Sequence, residues 1–271
     1  MNTHIETGKR GLTTFDLKVL GITFMFIDHI HEMFALMGAP SWLDWFGRPV
    51  ATLFFFISVE GFTHTRNKER YLKQLWLGFI VMNIGNYLVQ HFFSLGNMGL
   101  MNNIFTDLFI AVLSMYGIEL IKNGHKEKAF GKIIQGILCI VLPLVMSALV
   151  FMLMTNGSTM TPALILGYLF PTTLLAENSI MIYLATVLYL LRNNRLLQCL
   201  AIAIVSALYA GLDIQGMFTT NIQWMMVFAI VPILLYNGQK GKGMKQFFYL
   251  FYPAHIWLLY IIASVIYNHL Y

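Results

Sequence analysis

The chain has few charged residues and very little cysteine. Asp, Glu, Lys and Arg make up 11% of its 271 residues, whereas 58% are hydrophobic, and the mean hydropathy is +0.69. This balance excludes a water-soluble globular domain and is typical of an integral membrane protein. Both cysteines, Cys139 and Cys199, lie within apolar runs, so a disulfide scaffold is not expected.

Linkers and repeats are also missing. The sequence contains no Ser/Pro-rich linker, no low-complexity tract, no clear internal repeat and no segment long enough for a separate soluble domain. The polar N-terminus leads into an apolar run that carries acids and histidines and has no small-residue cleavage site. This pattern indicates an uncleaved first helix rather than a signal peptide. We therefore expect a single transmembrane domain over residues 1–271.

Large apolar blocks recur about every 25 residues and are separated by short polar joints. A membrane-crossing helix needs about 20 apolar residues. The fold class predicted from this pattern is an all-α, polytopic integral membrane helical bundle with about 9–10 transmembrane helices. The predicted crossings are 15–37, 47–65, 70–93, 103–122, 132–154, 176–192, 196–211, 221–236 and 245–268.

Basic residues are absent from three loops, at 94–102, 155–161 and 212–220, and cluster in the alternate ones. The positive-inside rule therefore predicts a multi-pass protein of the cell (cytoplasmic) membrane with a cytoplasmic N-terminus. The net charge of +5 comes from these loops, so a nucleic-acid partner is not expected. Arg192 and Arg195 also fit the cytoplasmic side.

That placement requires an odd number of crossings between residues 161 and 192. We therefore predict one true crossing there, preceded by a broken or re-entrant helix that ends near Pro171. Such half-helices are tolerated where they line a cavity within the protein. A count of ten full helices is the close alternative.

The first crossing carries four ionisable residues in the stretch Asp28–Glu32. Ionisable groups inside a bilayer are costly and are by default a sign of function. At about 1.5 Å per residue, His29 lies about 16 Å above Lys18, and His255 on the last crossing lies about 15 Å above Lys245. Both imidazoles are therefore expected near mid-depth.

Other polar residues of the crossings have structural as well as functional interpretations. Glu60 and His64 share one face of the second helix at i,i+4 spacing and could simply tie two helices together. His255 could be a packing residue, and Arg48 an ordinary interface residue. For Asp28 next to His29 a functional interpretation is favoured, because an acid beside a mid-membrane base is expensive without a use.

Several blocks resemble the TraX family, and together they touch nearly the whole chain. The most specific are E-G-F-T-H-T-R-N and F-Y-P-A-H. The blocks are Phe15–Lys18, Met25–Ile30, Gly47–Pro49, Phe54–Asn67, Arg70–Leu72, Asn103–Thr106, Gln223–Met226, Leu235–Gly243 and Phe248–His255.

The resemblance implies a bacterial inner-membrane, acyltransferase-like domain that uses acetyl-CoA as its donor. TraX proteins acetylate the N-terminal amine of conjugative pilin. The family also looks related to membrane acyltransferases that acetylate surface sugars, which carry a first-helix His and an Arg opening the second helix. The chain departs from the family at Ala51–Leu53 and Met82–Gly85. The acceptor therefore stays open between a pilin or secreted-peptide N-terminus and a surface glycan.

In this interpretation His29 is the general base for the acceptor amine or hydroxyl. Asp28 or Glu32 orients His29 or stabilises its imidazolium, although Asp28 could instead serve Arg48, since neighbours on a helix point about 100° apart. Arg48 would stabilise the oxyanion. His255 is a second candidate base or an intermediate acetyl acceptor.

Donor binding is expected at the cytoplasmic end, where cations could bind the phosphates of CoA. Glu60 and His64 would fix the entry and the thiol end of CoA. The predicted cofactor-binding set is Glu60, His64, Arg66, Asn67, Lys68, Arg70, Lys73 and Tyr252.

Two other functional classes remain. A proton-coupled secondary transporter could use Asp28, His29, Glu60 and His64 as a relay and the broken helix at Pro171 as its substrate site, but related halves are not visible in the sequence. The other is a non-catalytic assembly factor for surface fibres.

Overall fold

The computed structural model describes residues 10–155, 160–211 and 215–270, and within these residues the regular structure is helical. Ten α-helices follow one another along the chain. They are α1 (Thr14–Phe34), α2 (Asp44–His64), α3 (Lys68–Phe92), α4 (Ile104–Glu127), α5 (Phe130–Thr155), α6 (Met160–Leu169), α7 (Leu184–Leu190), α8 (Arg195–Ala210), α9 (Ile230–Leu234) and α10 (Lys245–Leu270).

Four helical segments of the described chain are long and apolar enough to cross a membrane: Thr14–Met37, Ile104–Glu127, Phe130–Thr155 and Gln246–Leu270. Three shorter apolar segments accompany them, at Met181–Leu190, Arg195–Ala210 and Gln223–Leu234. The all-α polytopic membrane bundle predicted from the sequence is therefore confirmed.

Two predicted crossings are less regular than expected. Within 176–192, a 3-10 helix at Ser179–Tyr183 precedes α7, and within 221–236 another at Gln223–Ala229 precedes α9. The apolar run in each is long, but the α-helical part is only seven and five residues. Hydropathy measures how apolar a segment is and does not distinguish these two helical forms.

The short helix α6 is the broken segment. It ends at Leu169, and the residue before a proline, here Phe170, disfavours the α conformation. Its last carbonyls are bound by side chains from the middle of α3: Trp76 Nε1 donates to Leu169 O at 3.1 Å and Asn83 Nδ2 to Tyr168 O at 3.3 Å. Polar groups at a helix end inside a bilayer need such partners. Residues 170–178 then lead back to the next crossing.

The connections at the two ends of the bundle differ in charge. Those at 65–67, 128–129, 191–194 and 235–244 each contain Lys or Arg, and we call this the basic end. Those at 35–43, 93–103 and 215–222 contain none, and we call this the far end. At the basic end the start of α1 is tied to the loop before α10, since Leu12 N donates to Leu235 O at 2.8 Å and Thr14 N to Gln239 O at 2.8 Å.

Lipid-type packing is clearest on α5. Only 11% of the most apolar stretch of this helix is buried inside the protein, and large side chains such as Ile137, Leu138 and Val145 are exposed. Its other face meets α4 through two glycines. A Cβ on Gly117 would lie 2.6 Å from the Gly136 carbonyl oxygen, and one on Gly136 would lie 2.5 Å from the Gly117 oxygen. Small residues let two backbones approach this closely in membranes.

We expect Gly136→Ala to lower the free energy of unfolding by about 1–3 kcal/mol, because the added methyl group overpacks the α4–α5 contact. Thermal unfolding in detergent measures this. Gly131→Ala is the control on the same helix, since a Cβ there meets no neighbouring atom within 4 Å. Equal melting temperatures for the two variants would contradict the packing described for α4 and α5.

Candidate active site

Two histidines from the first and last helices meet in the interior. His29 of α1 and His255 of α10 are 4% and 5% exposed, and His29 Nδ1 lies 2.9 Å from His255 Nε2. Their rings are nearly parallel, with centroids 5.1 Å apart and an angle of 16°. The Phe251 ring also stacks on His255, with the centroids 4.7 Å apart. The two predicted imidazoles are thus brought into direct contact from opposite ends of the chain.

A backbone carbonyl determines which nitrogens carry protons. His255 Nδ1 lies 2.7 Å from the Phe251 carbonyl oxygen, one helical turn back. The carbonyl can only accept, so His255 Nδ1 is the protonated nitrogen and, in the uncharged ring, Nε2 is an acceptor. His29 Nδ1 therefore donates to His255 Nε2. The remaining nitrogen, His29 Nε2, is left without a proton and can act as a base.

The basic nitrogen faces a carboxylate. Glu32, one turn further along α1, places Oε2 3.7 Å from His29 Nε2, and its side chain is 35% exposed. Asn102 Nδ2 donates to both oxygens of Glu32 at 2.9 Å. His29 Nε2 therefore lies next to a carboxylate that can stabilise a positive imidazolium.

Asp28 pairs with Arg48 of α2, which is the alternative that the sequence left open for this acid. Its Oδ1 accepts from Arg48 Nη2 at 3.3 Å. Arg48 also donates to the Asp44 carbonyl at 3.1 Å and to Gln223 Oε1 at 3.3 Å. The pair needs Gly47, because a Cβ there would lie 2.1 Å from the Asp28 carboxyl carbon. Next to it, His31 Nδ1 contacts Asp44 Oδ1 at 2.5 Å.

Glu177 is a site residue that sequence reasoning missed. Its Oε1 accepts from the Asn103 backbone N–H at 2.5 Å and from the Tyr252 hydroxyl at 2.7 Å. The Tyr252 ring lies 6.5 Å from the His29 ring and 5.8 Å from the His255 ring, centroid to centroid. Glu177 lies at the start of the predicted crossing 176–192, where hydropathy assigns it no role. The available signal was an acid a few residues after Pro171.

Asp107 holds Glu177 in place. Asp107 is fully buried and accepts from the backbone N–H groups of Glu177 at 3.2 Å and Asn178 at 2.9 Å, and from Asn178 Nδ2 at 2.9 Å. Three donors on one carboxylate fix the chain just after the re-entrant segment. Asp107 of α4 therefore has a positioning role.

The predicted donor-binding residues gather at the basic end, with one exception. Glu60 contacts Arg195 at 3.6 Å and accepts from the Tyr236 hydroxyl at 3.2 Å. His64 Nδ1 donates to the Glu60 carbonyl at 2.8 Å, and Asn67 caps α3 by accepting from Arg70 N at 2.8 Å.

The cations of this set differ in their surroundings. Lys68 is bound to Glu119 and lies over the Phe62 ring, whereas the side chains of Arg66, Arg70 and Lys73 are exposed. Tyr252 is the exception, since it lies beside the imidazole pair.

Two further cations at the basic end lie over aromatic rings. Arg195 lies 4.4 Å from the Phe56 centroid and Arg192 lies 4.4 Å from the Tyr189 centroid. The sequence analysis predicts only a cytoplasmic position for these two arginines. No group of three or more His, Cys, Asp or Glu side chains in the described part of the chain could hold a metal ion.

Comparison with known proteins gives one family and one distant relative. The family model described as "TraX protein" matches residues 14–263. The chain is also similar to the probable fimbrial assembly protein FimC, serogroup H1, of Dichelobacter nodosus, with 26% identity over 257 residues that cover 91% of this chain and 94% of the relative. No solved structure matches the chain.

The contact between Asp28 and Arg48 can be measured by a double-mutant cycle. We expect Asp28→Asn and Arg48→Gln each to destabilise the fold, and the double variant to lose less than the sum by about 0.5–3 kcal/mol, because each single change leaves a charge without its partner. The control cycle combines Asp28→Asn with Lys126→Gln, since Lys126 is exposed at the basic end of α4. Additive effects in both cycles would show that the pair does not interact.

Proposed function

The chain belongs to the TraX family, and on that basis we propose that it is a membrane-embedded acetyltransferase. The donor is acetyl-CoA, supplied from the cytoplasm, and the acceptor is an amine or hydroxyl of a surface polymer. The similarity to a relative named as a fimbrial assembly protein favours a polypeptide such as pilin over a glycan. The observation that carries the proposal is the His29–His255 pair, whose contact with the Phe251 carbonyl assigns Nε2 of His29 as the available base.

The reaction begins at that nitrogen. The acceptor nitrogen or oxygen attacks the carbonyl carbon of the thioester and forms the new N–C or O–C bond, while its proton passes to His29 Nε2. The C–S bond then breaks. CoA leaves as a thiolate and takes the proton back from the imidazolium, so the base is regenerated.

Neighbouring residues stabilise the charges of this reaction. The hydrogen bond to His255 holds the His29 ring so that Nε2, and not Nδ1, points to the reacting atoms. Glu32, 3.7 Å from that nitrogen, stabilises the imidazolium. The guanidinium of Arg48, oriented by Asp28 and Gln223, is the group assigned to the oxyanion.

The donor enters at the basic end, which the positive-inside rule assigns to the cytoplasm. Arg66, Arg70 and Lys73 are the exposed cations assigned to the CoA phosphates, because each can donate to phosphate oxygens. His29 lies fifteen residues along α1 from Thr14, which at 1.5 Å per residue is about 22 Å. The pantetheine arm and acetyl group therefore have to span about three-quarters of the length of α1.

We expect His29→Ala to lower acetyl transfer from labelled acetyl-CoA by about 10²–10⁴-fold, since this is the usual contribution of a general base. His125→Ala is the matched control, because His125 is exposed at the basic end of α4. Full activity of His29→Ala would reject the assignment. Absence of acetyl transfer by the parent protein, combined with proton-coupled uptake, would instead favour the transporter.

His255 is proposed as a positioning residue and not as a second base. We therefore expect His255→Ala to lose most of the transfer rate, and His255→Gln to recover part of it, since the Gln amide oxygen can accept from His29 Nδ1. The rate of transfer by detergent-purified protein measures this. Equal losses in the two variants would favour a chemical role for the His255 imidazole, such as an acetyl-imidazole intermediate.

A further inference from the structure

A cavity of about 160 Å³ lies between α3, α4, α5 and the re-entrant helix α6. Its walls are mostly apolar, with Phe79, Leu100, Val150 and Met154 among them, and the polar part comes from Asn83, Asn86, Asn103 and Thr106. An apolar cavity of about 150 Å³ is large enough to bind benzene. The space therefore fits one aromatic or branched aliphatic side chain.

The re-entrant helix shapes this cavity. Ala163 and Gly167 of α6 line it, as does Leu175 from the segment that follows. A Cβ on Gly167 would lie 2.4 Å from Leu175 Cδ1. Gly167 therefore lets Leu175 pack closely against α6, and a methyl group at this position would push Leu175 toward the cavity.

Two chains of contacts connect the cavity to the proposed base. In the first, the backbone N–H of Ile104, next to the lining residue Asn103, donates to the Tyr252 hydroxyl at 2.8 Å, and the Tyr252 ring neighbours both imidazoles. Tyr252 therefore links the chain at the cavity wall to the imidazole pair.

In the second chain, the lining residue Asn86 donates to the Asn102 carbonyl at 2.9 Å. Asn102 binds both oxygens of Glu32, and Glu32 lies next to His29 Nε2. Hydrogen bonds therefore run from the cavity wall to the carboxylate beside the proposed base.

We propose that this cavity binds an apolar side chain of a polypeptide acceptor, close to the group that receives the acetyl. The inference rests on the proposed function, and it adds a substrate preference: acceptors with an aromatic or branched aliphatic residue beside the reactive group react best. Of the available occupants, a side chain matches the volume and the apolar walls. The polypeptide class follows from the proposed surface-fibre acceptor.

The test uses synthetic ten-residue peptides with a free N-terminus that differ only in the first residue, which is Gly, Ala, Leu or Phe. We expect kcat/KM for acetyl transfer to rise along this series by about tenfold or more, because burial of a Leu or Phe side chain contributes about 1.5–3 kcal/mol.

Filling the cavity should remove this preference. Ala163→Phe occupies the space directly, and Gly167→Ala does so more mildly by displacing Leu175. Ile165→Phe is the control, since Ile165 lies on the same helix with its side chain 54% exposed. The two filling variants should react with the Gly peptide as the parent does and lose the advantage of Phe. A flat series in the parent, or the same change in Ile165→Phe, would overturn the proposal.

A second arm needs no catalysis. A peptide whose first residue is photoactivatable leucine should label the cavity walls, with Met154 and Phe79 as expected sites found by mass spectrometry, and labelling should fall in Ala163→Phe. Labelling elsewhere on the chain, or of lipid alone, would overturn the proposal. If the parent transfers no acetyl group to any peptide, the proposed function fails, and the photolabel alone then decides whether the cavity is a peptide site.

Discussion

The hydrogen bond from His255 Nδ1 to the Phe251 carbonyl is the interaction on which the site depends. It is local to α10, spans one helical turn at 2.7 Å, and needs no other element. Because the carbonyl can only accept, this one contact sets the tautomer of His255 and, through the 2.9 Å contact between the rings, that of His29. Without it the two imidazoles could exchange donor and acceptor roles, and Nε2 of His29 would not be held as a base.

The carboxylates around the imidazole pair have hydrogen-bond partners within the protein, as polar groups inside a bilayer require. Asp107 takes three donors from Glu177 and Asn178, and Glu177 takes the Asn103 N–H and the Tyr252 hydroxyl. Glu32 takes the amide of Asn102 and is left 35% exposed beside the imidazole. Asp107 and Glu177 are therefore held by hydrogen bonds inside the bundle, whereas Glu32 is partly exposed beside the base.

Much of this arrangement could be predicted from the sequence. The all-α membrane bundle, the break near Pro171 and the Arg48 partner of Asp28 follow from hydropathy, charge and helical geometry. Glu177 did not follow, because its position depends on how residues 170–178 return into the bundle, and hydropathy carries no information on that path. Tyr252 was grouped with the donor-binding residues, although its i,i+3 spacing from His255 on one helix could have placed it beside that imidazole. The 3-10 helices at Ser179–Tyr183 and Gln223–Ala229 were not predicted either. A 3-10 helix differs from an α-helix in hydrogen bonding and not in composition.

The most direct measurement is the protonation state of the two imidazoles. Nitrogen-15 NMR of protein labelled at histidine, with the signals assigned through His29→Gln and His255→Gln, distinguishes protonated from unprotonated ring nitrogens. The account predicts that in the uncharged pair both rings carry the proton on Nδ1 and that His29 Nε2 is bare. A proton on His29 Nε2 would contradict it, because that nitrogen could then not remove the acceptor proton.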